Sequence, residues 1–301
     1  MTEFVKIVEV APRDGLQNEG KTLTPHQRAV FIKALADAGL KTIEAGAFVS
    51  PKWVPQMAGT ADVFNELGAP DLSAAGVALP CLVPNAKGME DALKAGVTEV
   101  AVFTAASEEF NYKNTNAGIE ESLERFVRVI EMAENADVKV RGYVSTAIAC
   151  PYSGKVAPEK VAEVAAELFK LGCHEISLGD TIGVGRPKEI QTMIRRVLPH
   201  VPKENVSLHL HDTFGQALAG IYAALEEGVR TFDTSCAGLG GCPYANGASG
   251  NVATEDVLYL LQGEGFDTGV DLDKLMDAGR GICALLETKP KSKVTQALTS
   301  D

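Results

Sequence analysis

The sequence predicts an α/β chain closed into a single (β/α)8 TIM barrel with a C-terminal helical extension, and three observations carry that prediction. Eight short β-rich runs alternate from end to end with longer amphipathic runs, the order that builds a parallel sheet from helical crossovers. Glycines recur where a helical run gives way to the next β-rich run. The chain has 301 residues, 46% hydrophobic and 23% charged, which suits one barrel of about 250 residues plus an extension.

The β-rich runs are residues 4–10, 42–47, 77–83, 99–104, 139–146, 175–178, 207–211 and 231–235. The helical runs that follow them are 25–38, 51–67, 86–95, 119–135, 158–171, 187–198, 217–227 and 254–262. Their boundaries have local causes. Thr24 ahead of Pro25 offers an N-cap with proline at the first helical position, and Pro158 and Pro187 open their helices in the same way. Gly39, Gly96, Gly172 and Gly228 close helices where a left-handed cap suits glycine. No linker or low-complexity segment interrupts the series, so residues 1–301 read as one catalytic domain. Within it, 271–301 is the extension: a further helix over 271–286 and a mobile tail over 289–301.

Bulk charge narrows the partners. The formal net charge of −12, from 28 Lys and Arg against 40 Asp and Glu, comes with scattered basic residues, which argues against nucleic acid. No run is apolar for long enough to span a bilayer, and residues 1–10 hold neither a basic leader nor an apolar stretch, so no membrane and a cytoplasmic location are expected. Six cysteines without a C-x-x-C pair, in a chain able to build its own core, are expected to stay thiols.

In a barrel of this kind, chemistry gathers at the C-terminal ends of the strands. The run Ser207-Leu208-His209-Leu210-His211 is informative there, because residues two apart on a strand share a face and two imidazoles together make half of a metal site. A pair of hydrogen-bonded interior histidines is the plainer reading. The first strand ends in Arg13 and Asp14: Asp14 can give oxygen to a metal while Arg13 points at an anionic substrate oxygen, and a turn with a surface ion pair explains the same residues equally well. Glu44 and Asp180 are carboxylates in otherwise apolar strands, which is costly unless they are paired or functional. Asp180 is the candidate base; Glu44 is either catalytic or a partner that fixes Arg13. After the eighth strand, the glycine-rich run from Gly238 to Gly250 can open and close over a site and carry the Cys242 thiol with it. A phosphate-cradling loop is the rival, weakened by the absence of G-x-G-x-x-G; for Cys242 the rival is an inert buried thiol.

Taken together, these residues resemble the hydroxymethylglutaryl-CoA lyases of the DRE-TIM metallolyase superfamily. The likeness rests on Gly238-Leu239-Gly240-Gly241-Cys242-Pro243-Tyr244, on Arg13-Asp14-Gly15-Leu16-Gln17-Asn18-Glu19, on Arg141-Gly142-Tyr143-Val144-Ser145 and on Ser177-Leu178-Gly179-Asp180-Thr181, and it runs from Val8 to about Leu286. It implies a metal-dependent retro-Claisen cleavage of 3-hydroxy-3-methylglutaryl-CoA into acetyl-CoA and acetoacetate, of the leucine-degradation and ketone-body type. Asp14, His209, His211 and Asn251 would hold Mg²⁺ or Mn²⁺, Arg13 would assist the enolate, and Asp180 and Cys242 would move protons with Glu44 beside them. Gln17, Tyr143, Ser177 and Thr181 would line the pocket for the CoA thioester, and a homodimer is implied. Cys236 departs from the family's usual aliphatic residue. The competing enzymes are a lyase for a longer 3-alkyl branch, a related Claisen-condensing acyltransferase and a 4-hydroxy-2-oxoacid aldolase. A barrel that binds CoA esters or metal as a sensor, without turnover, is the alternative from another class.

Overall fold

The β-rich runs pair side by side in chain order, and the last returns to the first. The computed structural model describes residues 2–241 and 250–298. Its parallel strands are β1 (Lys6–Glu9), β2 (Thr42–Ile43 and Gly46–Ala47), β3 (Cys81–Leu82), β4 (Glu99–Ala105), β5 (Lys139–Ser145), β6 (Glu175–Asp180), β7 (Val206–Leu210) and β8 (Thr231–Thr234). Strand β1 pairs with β8 on one side and with the first piece of β2 on the other, while the second piece of β2 pairs with β3. The two pieces are joined through Glu44, whose N–H bonds to Glu9 O at 2.9 Å, and Ala45, whose N–H bonds to Pro80 O at 2.9 Å. The sheet therefore closes on itself, without an edge.

The helices are α1 (Pro25–Asp37), α2 (Thr60–Leu67), α3 (Ala69–Ala74), α4 (Ala86–Lys94), α5 (Glu108–Thr115), α6 (Ile119–Asn135), α7 (Pro158–Leu171), α8 (Pro187–Val197), α9 (Ala217–Glu226), α10 (Thr254–Gly263), α11 (Leu272–Leu286) and α12 (Lys293–Leu298). Local chemistry explains their limits. Thr24 caps α1 through a reciprocal pair, accepting from Gln27 N at 3.2 Å while Gln27 Oε1 accepts from Thr24 N at 2.9 Å, a device worth about 1 kcal/mol. On α8, Ile190, Met193, Ile194 and Val197 make the buried stripe, spaced as a helix face requires. No described helix is long and apolar enough to cross a membrane, and the described cysteines Cys81, Cys150, Cys173, Cys236 and Cys283 are buried free thiols.

The structure departs from the sequence reading in several places, among them the helices α3 and α5, which it did not expect, and the break of the 42–47 strand into two pieces. The helix expected over 51–67 begins only at Thr60, because Pro55 starts a short 3₁₀ turn and Gly59, at φ 70°, reverses the chain before α2. The strand expected over 77–83 shrinks to Cys81–Leu82 and a bridge at Ala78, since Pro80 between them has no N–H to give. Residues up to 298 of the expected mobile tail are held: Asp256 accepts from Ser292 Oγ at 2.7 Å, Val294 N at 2.9 Å and Lys293 N at 3.1 Å, which starts α12.

Inside the barrel, alternation places Arg141 and Tyr143 of β5, Ser177 of β6, Ser207 and His209 of β7 and Asp233 of β8 on the inner face. Val140, Val144, Ile176, Leu178, Leu208 and Phe232 turn to the helices, fully or almost fully buried. Arg141 anchors this interior. Its guanidinium donates to Glu175 at 2.6 Å, to Asp233 at 2.5 Å, to Ser207 Oγ at 2.8 Å and to Tyr143 Oη at 2.7 Å. Removing one partner of such a buried network leaves an unpaired charge, at a cost of about 3–5 kcal/mol.

Outside the barrel wall, two further buried carboxyls hold the turn after β8. Glu9 accepts from Ala11 N and Cys236 N, both at 2.9 Å, and from Thr254 Oγ1 at 2.7 Å, while both oxygens of Glu255 accept from Ala237 N at 2.9 and 3.0 Å. Burial pushes Glu9 up to about 7 and Glu255 up to about 8. The folded chain therefore keeps protons that an unfolded chain releases near 4.5, and the stability linked to them is lost as pH rises from about 5 to about 8. The Glu255→Gln variant, uncharged at every pH, is expected to gain in melting temperature relative to the parent chain as pH rises across that window. A difference that stays constant with pH contradicts this account.

Candidate metal centre and active site

Beyond β1 the chain makes a single π turn over Ala11–Gly15, in which the N–H groups of Asp14 and Gly15 both bond to Val10 O, at 2.8 and 3.2 Å. Gly15 is required there by close approach: a Cβ would fall 2.9 Å from Ser235 Oγ and 3.0 Å from Leu239 Cβ. The turn is thus pressed against the segment that leaves β8. It aims Arg13 and Asp14 across the mouth of the barrel toward β7.

At the end of β7, His209 and His211 stand on one face as their spacing requires, with ring centroids 5.3 Å apart. Asp14 Oδ2 lies 3.9 Å from His209 Nε2, and ligand atoms of Asp14, His209 and His211 all lie within 4.8 Å of one another. Asn251 pairs with His211 across an isolated antiparallel bridge, and its amide donates to Asp14 Oδ2 at 2.8 Å. These four residues, separated by up to 237 positions in sequence, form one cluster. His211 Nδ1 is buried without a hydrogen-bond partner. Two imidazoles, a carboxylate and an amide are a mixed nitrogen and oxygen donor set that fits a divalent metal ion.

Electrostatics agrees. Burial alone would raise Asp14, but Arg13, the two imidazoles and the Asn251 amide hold it at about 2, so it stands ready as an anion. Burial and the neighbouring imidazole lower His211 to about 4, which leaves it neutral and able to give a lone pair. For His209, burial opposes the charged form, yet Asp233 and Asp14 outweigh it and raise the imidazole above its ordinary value.

Arg13 is the charged group nearest this cluster. Glu44 Oε2 accepts from its Nε and lies 2.8 Å from its NH2, its NH1 donates to Asp14 Oδ1 at 2.6 Å, and the Tyr143 ring lies 5.7 Å from its guanidinium carbon. Burial raises Glu44, though Arg13 pulls the other way, and its Oε1 is buried with no hydrogen-bond partner. Of the two readings left open for Glu44, the contacts match the partner that fixes Arg13.

Several expected site residues are elsewhere or otherwise engaged. Asp180, the expected base, pairs in register with Leu210, while Gly179 pairs with His209, so the Asp180 side chain leaves the strand on the outer face. There its carboxylate accepts from Gly185 N at 2.7 Å and Val184 N at 3.3 Å and organises the loop before α8. Ser177, expected to line the pocket, donates instead to Asp233 at 2.8 Å, in the floor beneath His209. Thr181 accepts from Thr146 N at 2.8 Å and ties the segments after β5 and β6 together. Tyr143 presents its ring to the site while its hydroxyl accepts from Arg141 below. Gln17 is half-buried just past the π turn. Cys242 lies outside the described residues.

Sequence reasoning missed Asp233 and the Arg141–Glu175 pair under the site. The available signal was a carboxylate inside Thr231-Phe232-Asp233-Thr234, as costly there as Glu44 is in its own strand.

The family model described as HMGL-like matches residues 4–282. The chain is 54% identical over 298 residues to the hydroxymethylglutaryl-CoA lyase of Pseudomonas mevalonii, covering 99% of this chain and 98% of that protein. It is 54% identical over 294 residues to a Pseudomonas aeruginosa protein named 3-hydroxy-3-isohexenylglutaryl-CoA/hydroxy-methylglutaryl-CoA lyase, covering 98% and 97% respectively. The crystal structure of hydroxymethylglutaryl-CoA lyase from Pseudomonas aeruginosa superposes with a TM-score of 0.95 at 53% identity, over 99% of this chain and 98% of that one.

The position of Asp180 leads to a direct check. Asp180→Asn is expected to lower the melting temperature by several degrees, through the loop before α8, while Mn²⁺ affinity changes by less than about twofold. A large loss of Mn²⁺ affinity with an unchanged melting temperature contradicts this placement of Asp180.

Proposed function

The chain belongs to the HMGL-like family, and from that premise we propose that it is a carbon–carbon lyase that cleaves 3-hydroxy-3-methylglutaryl-CoA into acetyl-CoA and acetoacetate. The observation that carries this reading is the direct bond from Arg13 to Asp14, 2.6 Å long, which locks a buried guanidinium beside the cluster of Asp14, His209 and His211. A site for the substrate's oxygens and a fixed positive charge for the leaving enolate thereby lie side by side.

In the reaction, the tertiary hydroxyl gives up its proton, the bond to the thioester α-carbon breaks, acetoacetate keeps the new ketone, and the enolate of acetyl-CoA takes a proton at carbon. A divalent cation, Mg²⁺ or Mn²⁺, held by Asp14, His209, His211 and Asn251 would supply Lewis acidity toward the hydroxyl. Arg13 meets the charge that grows on the thioester oxygen. Its placement costs no reorganisation, because Glu44 and Asp14 hold it in advance. Glu44, with its spare buried Oε1, takes over from Asp180 as the group that holds the hydroxyl proton. The Tyr143 ring walls the site above Arg141 and sits edge-on to His209, with ring centroids 6.2 Å apart. Cys242 would give the final proton to the enolate carbon.

Acetoacetate release from the CoA ester, followed with and without chelator and with Mg²⁺ or Mn²⁺ restored, tests the activity; turnover insensitive to chelator contradicts it. Arg13→Lys and Arg13→Gln are expected to lose on the order of 10²–10³-fold in kcat, the cost of removing one preorganised charge donor, with metal affinity largely kept. Near-normal turnover in either variant removes Arg13 from the chemistry.

A further inference from the structure

We propose that Asp233 is a positioning residue for the cation site, and that it determines which nitrogen of His209 is offered to the ion. The inference rests on reading Asp14, His209 and His211 as ligands and adds a residue that does not itself belong to the cluster.

Asp233 lies on the inner face of β8, in the floor beneath the two imidazoles, with a fully buried side chain. His209 stands between two carboxylates. Its Nδ1 is 3.3 Å from Asp233 Oδ2 and its Nε2 is 3.9 Å from Asp14 Oδ2. The Nδ1 contact is not well aligned as a hydrogen bond, but an ionised carboxylate can only accept, so a neutral imidazole places its proton on Nδ1 and its lone pair on Nε2. That lone pair faces Asp14. A metal-ligating histidine commonly gives its other N–H to a carboxylate, which fixes both tautomer and ring orientation.

The carboxylate that does this cannot turn away. Arg141 donates to Oδ1 at 2.5 Å and to Oδ2 at 3.2 Å, and Ser177 Oγ donates to Oδ2 at 2.8 Å. Arg141 is itself held by Glu175 at 2.6 Å, whose other oxygen takes Lys6 Nζ at 3.0 Å. A chain of charges from the bottom of the barrel thus ends on one ring nitrogen of a ligand. His211 has no such support, because its Nδ1 is unpartnered.

The same geometry says what Asp233→Asn does. Arg141 can only donate, so it takes the amide oxygen and turns the amide NH₂ toward His209 Nδ1. The donor then faces a nitrogen that must accept, and the proton moves to Nε2, where it blocks the ion.

The test uses the whole protein and Mn²⁺ alone. In ¹⁵N-histidine spectra of the metal-free parent chain, at a pH where the imidazoles are neutral, His209 is expected as the Nδ1–H tautomer, assigned by its loss in His209→Gln. An Nε2–H tautomer overturns the proposal. Titration of Mn²⁺ by electron paramagnetic resonance is expected to show ~10–100-fold weaker binding in Asp233→Asn, with the Nε2–H tautomer appearing. Equal Mn²⁺ affinity in a folded Asp233→Asn also overturns it. If that variant does not fold, the parent spectrum alone decides. Should the parent chain itself bind no Mn²⁺, the reading of the cluster as a cation site fails first.

Discussion

The site depends on barrel closure between β8 and β1. That pairing runs from Lys6 opposite Thr231 to Glu9 opposite Thr234, and it delivers the π turn after β1 against the segment that leaves β8. Gly15 sits there with no room for a Cβ, and Glu9 bonds at once to Ala11 of one segment and Cys236 of the other. Asp14 and Asn251 reach the histidines of β7 because these two segments cannot separate. A substitution that opens this seam moves ligands without touching any of them, which is how small displacements far from the reacting atoms cost catalysis.

Charge is handled in two storeys. In the lower one, Arg141 is shared by Glu175 and Asp233, and Lys6 on the other oxygen of Glu175 balances the second carboxylate. In the upper one, Arg13 is shared by Glu44 and Asp14. Each guanidinium is fixed by two carboxylates, and each pair of carboxylates includes one that also faces His209. Such buried ion networks are a costly way to gain stability compared with a hydrophobic core. Their use here is placement: planar guanidinium forks fix angles that aliphatic packing would leave loose.

Much of the fold was legible in the sequence because closed parallel barrels repeat one unit, and each unit carries its own signals of alternation, caps and terminal glycines. The errors fall where proline acts inside a run, at Pro55 and Pro80, and where tertiary bonds hold a polar segment, as Asp256 holds residues 292–294. Within the site, the pair His209 and His211 was legible because its spacing is local. At Asp180 the signal was only the cost of a carboxylate in an apolar strand, which does not say which way the side chain faces. Facing is relative to register, and only the pairing of Gly179 with His209 shows that Asp180 points outward. Asp233 carried the same local signal, but its role was not legible, because its partners Arg141 and Ser177 lie 92 and 56 residues away and nothing in its own strand announces them.

The central claim is a divalent cation gripped by Asp14 together with both imidazoles, and anomalous scattering from crystals grown with Mn²⁺ tests it most directly. The account predicts one strong peak within coordination distance of the carboxylate of Asp14 and of the rings of His209 and His211. Full Mn²⁺ loading at any other place, with that cluster bare, would contradict it.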